Sequence, residues 1–320
     1  METLLTGLRA AAEPTRLRLL ALCGHGELTV SELTQILGQS QPRVSRHLKL
    51  LCDGGLLDRH REGTWAFYRA ASTGARAELA RTLIDAIPPD DATLARDLGR
   101  LDAVKRARAE AATEYFRTNA KRWGEIRSLH VPEEDVERAL LKLFEDSEIS
   151  DLLDVGTGTG RILQLLGAKV TRGVGIDMSS EMLSVARSAL EDSGLANCQV
   201  RLGDMYNLPI DDGAMNAVTL HQVLHFADDP GEVLAEGARV LAPGGRMIAI
   251  DFAPHALESL RDEHAHRRLG FSDTEVAGWY TAAGVKAEQP IRLQGDPLTV
   301  VLWPGVKQAP AGGPTQGSVA

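Results

Sequence analysis

The residues best able to do chemistry gather around one glycine turn. Asp151-Leu152-Leu153-Asp154-Val155 leads into Gly156-Thr157-Gly158-Thr159-Gly160, and Arg161 to Leu166 then has a helical pattern. A strand, a glycine turn and a helix in that order let the backbone approach a ligand closely, because no Cβ stands in the way. Alone, such a turn suits NAD or FAD as well as other nucleoside ligands. Two later acids sharpen the reading. Gly173-Val174-Gly175-Ile176-Asp177 predicts a second strand ending in a carboxylate 17 residues after Gly160, placed to accept both hydroxyls of a ribose. Cys198 to Gly203 predicts a third, ending in Asp204-Met205, where a carboxylate can take an adenine amino group and a backbone amide can meet the ring. With their neighbours, these give a candidate ligand set of Asp154, Gly156, Thr157, Gly158, Gly160, Asp177, Met178, Asp204, Met205 and His221.

A second group of residues suits nucleic acid. Val44, Leu48 and Leu51 repeat at helical spacing and must face a core. The opposite ridges then carry Gln41, Ser45 and Lys49, with Pro42 and Arg46 beside them. Gln and Arg side chains on the first half of such a helix can make bidentate contacts to base edges in a major groove. Arg43 lies in the same basic window, since no acid occurs between Glu32 and Asp53. Leu56 to His60, a Glu62-Gly63 turn and Thr64 to Arg69 predict a hairpin with Arg59 and Arg61 near its tip, able to grip phosphates. A small helical bundle with an ordinary basic surface has the same pattern.

The elements that must position these groups carry their own signals. Thr29-Val30-Ser31-Glu32 is a capping box that starts a helix ahead of Leu33, Ile36 and Leu37. Gly38 ends it, Ser40 can cap the next helix, and Pro42 is tolerated in that helix's first turn. Glu13-Pro14-Thr15-Arg16, Leu28 to Leu33, and Ser40 to Lys49 followed by Gly55-Leu56 resemble the ArsR/SmtB family of winged-helix regulators over about residues 4–87. The resemblance implies a homodimer, formed through the first helix and the one around Ala75–Ile87, on palindromic double-stranded operator DNA. Metal sensors of that family place cysteines where this chain has Thr29 and Ser31, or use histidines on the dimer helix, yet no histidine occurs between His60 and His130. No metal is therefore expected.

The ordered series in the second half continues with Ala217 to His225, Asp229-Pro230, and Leu241-Ala242-Pro243-Gly244-Gly245-Arg246 leading into a strand from Met247 to Phe252. Taken together, it resembles class I S-adenosylmethionine (SAM) dependent methyltransferases, especially the small-molecule branch of ubiquinone/menaquinone biosynthesis, over about residues 110–306. That implies SAM or S-adenosylhomocysteine as ligand and a seven-stranded sheet whose last strand, near Leu298–Trp303, is antiparallel. Tyr115, Phe116, Trp123, Arg127 and His130 would cap the pocket or anchor a linker helix. Methyl transfer is mostly positioning and water exclusion, and a base helps only when the acceptor must lose a proton. His221 and His225 follow the fourth strand, and His264, His266, Arg267 and Arg268 fall on a predicted helix after the fifth. His221, His225 and His264 are the catalytic candidates, although each alone also suits a structural or exposed position. Arsenite as acceptor is disfavoured, because that chemistry relies on several thiolates and this half has only Cys198.

The fold class expected is thus an α+β winged helix-turn-helix followed by an α/β Rossmann-like seven-stranded methyltransferase domain. The expected boundaries are 1–87, a helical linker and cap at 88–146 beginning at Pro88-Pro89, the second domain at 147–306, and a disordered tail at 307–320. Residues 1–80 carry 10 Lys and Arg against 8 Asp and Glu, while the remainder carries 25 against 36. A basic reader on an otherwise acidic chain is the field that phosphate contacts need. No apolar run approaches the roughly 20 residues that span a bilayer, and three cysteines at no ligand spacing fit the cytoplasm. Two functions remain: a regulator whose second domain methylates a small molecule, or a non-catalytic repressor of methionine-cycle genes responding to SAM or S-adenosylhomocysteine.

Overall fold

The computed structural model describes residues 1–26, 28–62, 65–71, 75–119, 132–145 and 149–309. The chain forms two compact units, Met1–Ala111 and Ala112–Ala320.

In the first unit, α1 (Glu2–Ala11) and α2 (Pro14–Cys23) precede a short β1 (Leu28–Thr29), α3 (Val30–Leu37) and α4 (Gln41–Asp53). The capping box forms: the Glu32 N–H donates to Thr29 Oγ1, and the Glu32 carboxylate accepts from the Thr29 N–H. Gly38 closes α3 at φ 64°, a conformation that disfavours a side chain. Ser40 stands at the start of α4, but its side chain makes no capping hydrogen bond, contrary to expectation. Val44, Leu48 and Leu51 point into a core with Leu19, Leu20, Leu33 and Ile36. β2 (Leu57–Glu62) and β3 (Trp65–Ala70) pair antiparallel, with Glu62 opposite Trp65, and β1 adds to β3. Then come α5 (Ala75–Asp85) and α6 (Ala92–Asn119).

The expected boundary after residue 87 needs correction, because the first part of α6 belongs to this unit. Leu101 and Val104 are buried in its core. Asp97 accepts two hydrogen bonds from the Arg18 guanidinium, at 2.5 and 2.8 Å. Arg100 donates to the Ile36 carbonyl at the end of α3 (2.9 Å), and Lys105 donates to the His25 carbonyl (2.9 Å). The punctuation at Pro88-Pro89 marked a change of direction and not the end of the packed unit.

The second unit is a doubly wound sheet. Its strands are β4 (Ile149–Val155), β5 (Val170–Asp177), β6 (Cys198–Leu202), β7 (Met215–His221), β8 (Leu241–Phe252), β9 (Val285–Ala287), β10 (Ile291–Gln294) and β11 (Thr299–Lys307). Seven form one path, β10-β11-β8-β7-β4-β5-β6, and the three-residue β9 also pairs with β11. β4 to β8 are parallel, and β11 runs antiparallel to β8. The order reverses between β4 and β7, the switch point at which such sheets open a crevice. Helices cover both faces: α7 (Glu133–Leu143), α8 (Arg161–Leu166), α9 (Ser180–Asp192), α10 (Pro230–Val240), α11 (Ser259–His264) and α12 (Asp273–Ala282). Two apolar layers result, one around Leu152, Leu163 and Ile250, the other around Leu153, Leu220 and Tyr280.

Two further expectations change. The Pro243-Gly244-Gly245 element lies within β8 and not ahead of it, as a bulge across which the register shifts from Met215–Leu241 to Ala217–Arg246. His266, Arg267 and Arg268 follow the end of α11, in irregular chain, and all three are buried. Trp123, Arg127, His130 and the tail from Pro310 lie outside the described residues, and of Tyr115 and Phe116 only the helical backbone is described.

Candidate functional site

The ligand cradle is built where β4 ends. Gly156, Gly158 and Gly160 hold φ values of 67°, 52° and 80°, which side chains resist by roughly 1–2 kcal/mol each. The Gly156 and Thr157 N–H groups donate to the Ile176 carbonyl at 2.8 and 3.0 Å, tying the turn to β5. A Cβ on Gly156 would lie 2.3 Å from Val223 Cγ2, and one on Gly175 would lie 2.6 Å from Thr157 Oγ1. The Thr157 hydroxyl is buried and meets no hydrogen-bond partner among the described residues.

Asp177 closes the cradle. One carboxylate oxygen accepts from the Gly158 N–H and the other from the Ser179 N–H, both at 2.8 Å. Burial pushes its carboxyl above the usual range, against the pull of the Ser179, Gly158 and Met178 amides. Each oxygen keeps a lone pair for a further donor, as a ribose diol requires. Met178 is 55% exposed beside it, an apolar surface left bare next to a carboxylate. Asp204 is exposed after β6 and accepts from the Tyr206 N–H (2.9 Å), and Met205 is half-buried against the second apolar layer. A glycine turn at left-handed φ, a spare hydroxyl, a diol-accepting acid and an exposed thioether together fit an adenosyl ligand.

Asp154 is placed differently. It is 1% exposed, and its carboxylate accepts from Thr219 Oγ1 (2.7 Å), so this bond ties β4 to β7. His221 ends β7 and is buried, whereas His264 ends α11 half-buried. His225 lies in the turn that follows β7, with Nδ1 2.7 Å from Asp251 Oδ1. Sequence reasoning missed Asp251 and Tyr206. The Tyr206 hydroxyl accepts from the Asp228 and Asp229 N–H groups (2.7 and 3.0 Å), joining the loop after β6 to the loop after β7. No spacing rule links residues that far apart in the chain.

On the first unit, α4 exposes Gln41, Pro42, Arg43, Arg46 and Lys49, and Ser45 is half-buried. Lys49 pairs with Asp53 at 3.0 Å, one turn on, and remains largely in solvent. Arg59 and Arg61 are exposed on β2, the Arg59 guanidinium 5.9 Å from the centre of the Tyr68 ring. Cys23 is fully buried, which pushes its thiol far up, and burial raises Cys52 to about 11. Burial thus favours the protonated form of both thiols.

A helix with exposed polar and basic side chains on a winged unit, and a glycine cradle at the switch point of a doubly wound sheet, make a two-part protein. The comparisons with known proteins agree. Residues 13–59 match the model for bacterial regulatory proteins of the arsR family, and residues 153–249 match a methyltransferase domain. The chain is 31% identical over 174 residues to the uncharacterized methyltransferase YcgJ of Bacillus subtilis, spanning 51% of this chain and 68% of that one. It is 40% identical over 110 residues to a demethylmenaquinone methyltransferase of Thermus thermophilus, spanning 32% and 47%. It is 33% identical over 156 residues to an arsenite methyltransferase of Aquipseudomonas alcaligenes, spanning 39% and 45%. The chain thus spans about half the length of the last two. It belongs to the SAM-dependent methyltransferase family and carries an arsR-type helix-turn-helix in front of that domain.

Proposed function

We propose that this chain is a DNA-binding regulator whose second domain binds SAM and methylates a small molecule, with the ligand held by that domain setting operator affinity. One observation carries the reading: a single chain holds both a helix exposing Gln41, Arg43, Arg46 and Lys49 and a glycine cradle closed by Asp177. α4 would enter the major groove, with Arg59 and Arg61 on backbone phosphates. α1 leaves Met1, Leu4, Leu5 and Leu8 exposed, an apolar surface that supports dimerisation on a palindromic site.

SAM supplies a methyl group made electrophilic by its sulfonium. In this reading the glycine turn and Asp177 hold and orient it, Tyr206 ties together the loops that exclude water, and one of His221, His225 and His264 takes a proton. Arsenite is a poor fit, since Cys198 is the second unit's one cysteine and burial raises its thiol.

A second reading, in which the domain only senses SAM or S-adenosylhomocysteine, draws support from α6. The first part of that helix is built into the DNA-binding core, and the same helix continues to Asn119. Sensing requires that the ligand bind the two DNA-affinity states differently. The test is operator binding on the chain's own upstream DNA, titrated separately with SAM and with S-adenosylhomocysteine. A shift with either supports ligand control. Intact DNA binding with no shift removes the regulatory coupling and leaves the enzyme alone.

A further inference from the structure

The described backbone holds just two non-glycine residues at positive φ, Gln222 (51°) and Ala265 (56°). Both bracket one pair of histidines. Gln222 bends the chain as it leaves β7, its N–H donating to the Ile250 carbonyl (2.7 Å), and the next residue, Val223, packs on the glycine turn at Gly156. His225 follows. Ala265 reverses the chain after α11, and His266 then lies flat on His225, ring centres 3.9 Å apart and planes 18° apart. Phe226 and Phe252 stand 4.1 and 5.6 Å from the same imidazole. The His225 carbonyl accepts from the Arg267 and Arg268 N–H groups. Unfavourable backbone on both sides of one side-chain pair is found where function constrains the chain.

Asp251 fixes the role of the ring. Its side chain is fully buried, and it also accepts from the backbone N–H groups of His225 (3.2 Å) and Phe252 (2.8 Å). A carboxylate 2.7 Å from Nδ1 places a proton on Nδ1, and in the neutral imidazole the lone pair is then on Nε2. No described residue hydrogen-bonds Nε2. The pair follows the carboxyl ends of β7 and β8, on the same edge of the parallel sheet as the glycine turn after β4, and His225 is two residues from a side chain that packs on that turn.

We propose that His225, oriented by Asp251 and walled by His266, is the proton acceptor of this domain. Its substrate is then a protic nucleophile, bearing an O–H or N–H group, and not one that attacks through a lone pair with no proton to lose. The inference rests on the methyltransferase reading above. A lone pair of the acceptor atom forms the new bond to the methyl carbon, and the pair of the broken carbon–sulfur bond stays on sulfur. The acceptor's proton passes to Nε2, its former bond pair remains on the acceptor, and Asp251 faces the resulting imidazolium. Asp251 and His266 act as positioning residues.

Two measurements on the full chain test this. Long-range nitrogen–proton NMR correlation of the isotope-labelled, ligand-free protein should find His225 neutral with its proton on Nδ1; a proton on Nε2 overturns the proposal. Release of S-adenosylhomocysteine is then followed with catechol, aniline and dimethyl sulfide as acceptors. Transfer should occur with catechol or aniline and not with dimethyl sulfide, and His225→Gln and Asp251→Asn should slow it by about 10²–10⁴-fold, the reach of general base catalysis, while SAM affinity holds within about twofold. Unchanged rates in both variants, or equal transfer to dimethyl sulfide, overturn the proposal and leave the methyltransferase reading standing. No release with any of the three by a chain that binds SAM refutes the enzymatic reading, and the base falls with it.

Discussion

Replacing Asp177 by Asn tests the cradle with almost no change of shape. The carboxylate accepts from Gly158 N–H at one oxygen and Ser179 N–H at the other. Asn keeps one acceptor and turns an NH₂ group toward the second donor, which strands a buried N–H at a cost of about 1–3 kcal/mol. Removing a charge that burial disfavours offsets part of that, so the free protein should lose little stability in urea. Ligand affinity should fall much further. In the proposed site a ribose diol would make two charge-assisted hydrogen bonds to the carboxylate, worth roughly 1.5–3 kcal/mol each, and Asn would retain the geometry for one. The net loss is about 2–4 kcal/mol, or a SAM dissociation constant raised about 30- to 700-fold by calorimetry. The pH dependence has a definite sign. The folded carboxyl titrates above its unfolded value, so the protonated form is favoured by folding, and this contribution to stability is lost as pH rises through the raised value. SAM binding needs the ionised form, so affinity should fall on acidification above the ordinary carboxylate range, and Asp177→Asn should flatten that dependence. A SAM affinity unchanged within twofold, or a loss of operator binding by the ligand-free variant, would refute the assignment.

Arg46→Ala should weaken operator binding by about 1–3 kcal/mol and relax preference at one base position, as read by fluorescence anisotropy over a panel of single-base variants; uniform weakening would place Arg46 on a phosphate. Gly156→Ala should cost about 2–5 kcal/mol, from left-handed backbone and a methyl driven into Val223, seen as a lower denaturation midpoint of the second unit together with weaker SAM binding. Arg18→Ala leaves the buried Asp97 carboxylate without its two-pronged partner and should destabilise the DNA-binding unit by about 3–5 kcal/mol. Amide hydrogen exchange at α3 and the first part of α6 would report it, and unchanged protection there would show that the pair holds nothing together.

Much of this architecture was legible from local rules. The capping box at Thr29 and Glu32, the inward row Val44-Leu48-Leu51, and the glycine turn followed by Asp177 each depend on neighbours within a few residues or on one strand's end, so spacing alone reveals them. What escaped depends on contacts between distant segments. Asp251 sits in an apolar strand where sequence shows an isolated acid, and only the folded chain brings His225 to it. The charged stretch from His264 to Arg268 looked like a helix face. Its last three residues are instead buried, each Arg beside an acid from elsewhere: Arg267 near Asp228, and Arg268 near Glu275. Asp97 falls in the stretch expected to be a linker, and nothing in its neighbourhood announces Arg18, 79 positions earlier.

The placement of α6 bears on how such a chain can be cut. A fragment ending at residue 87 would keep α4, with its exposed polar and basic residues, and the hairpin, yet it would lose Leu101 and Val104 from its interior and leave Arg18 without Asp97. A piece that keeps the interior of this unit whole therefore runs past Lys105, within the compact unit that extends to Ala111. A cut within the first part of α6, ahead of Val104, would thus remove side chains from the interior of the first unit and not merely shorten a connection.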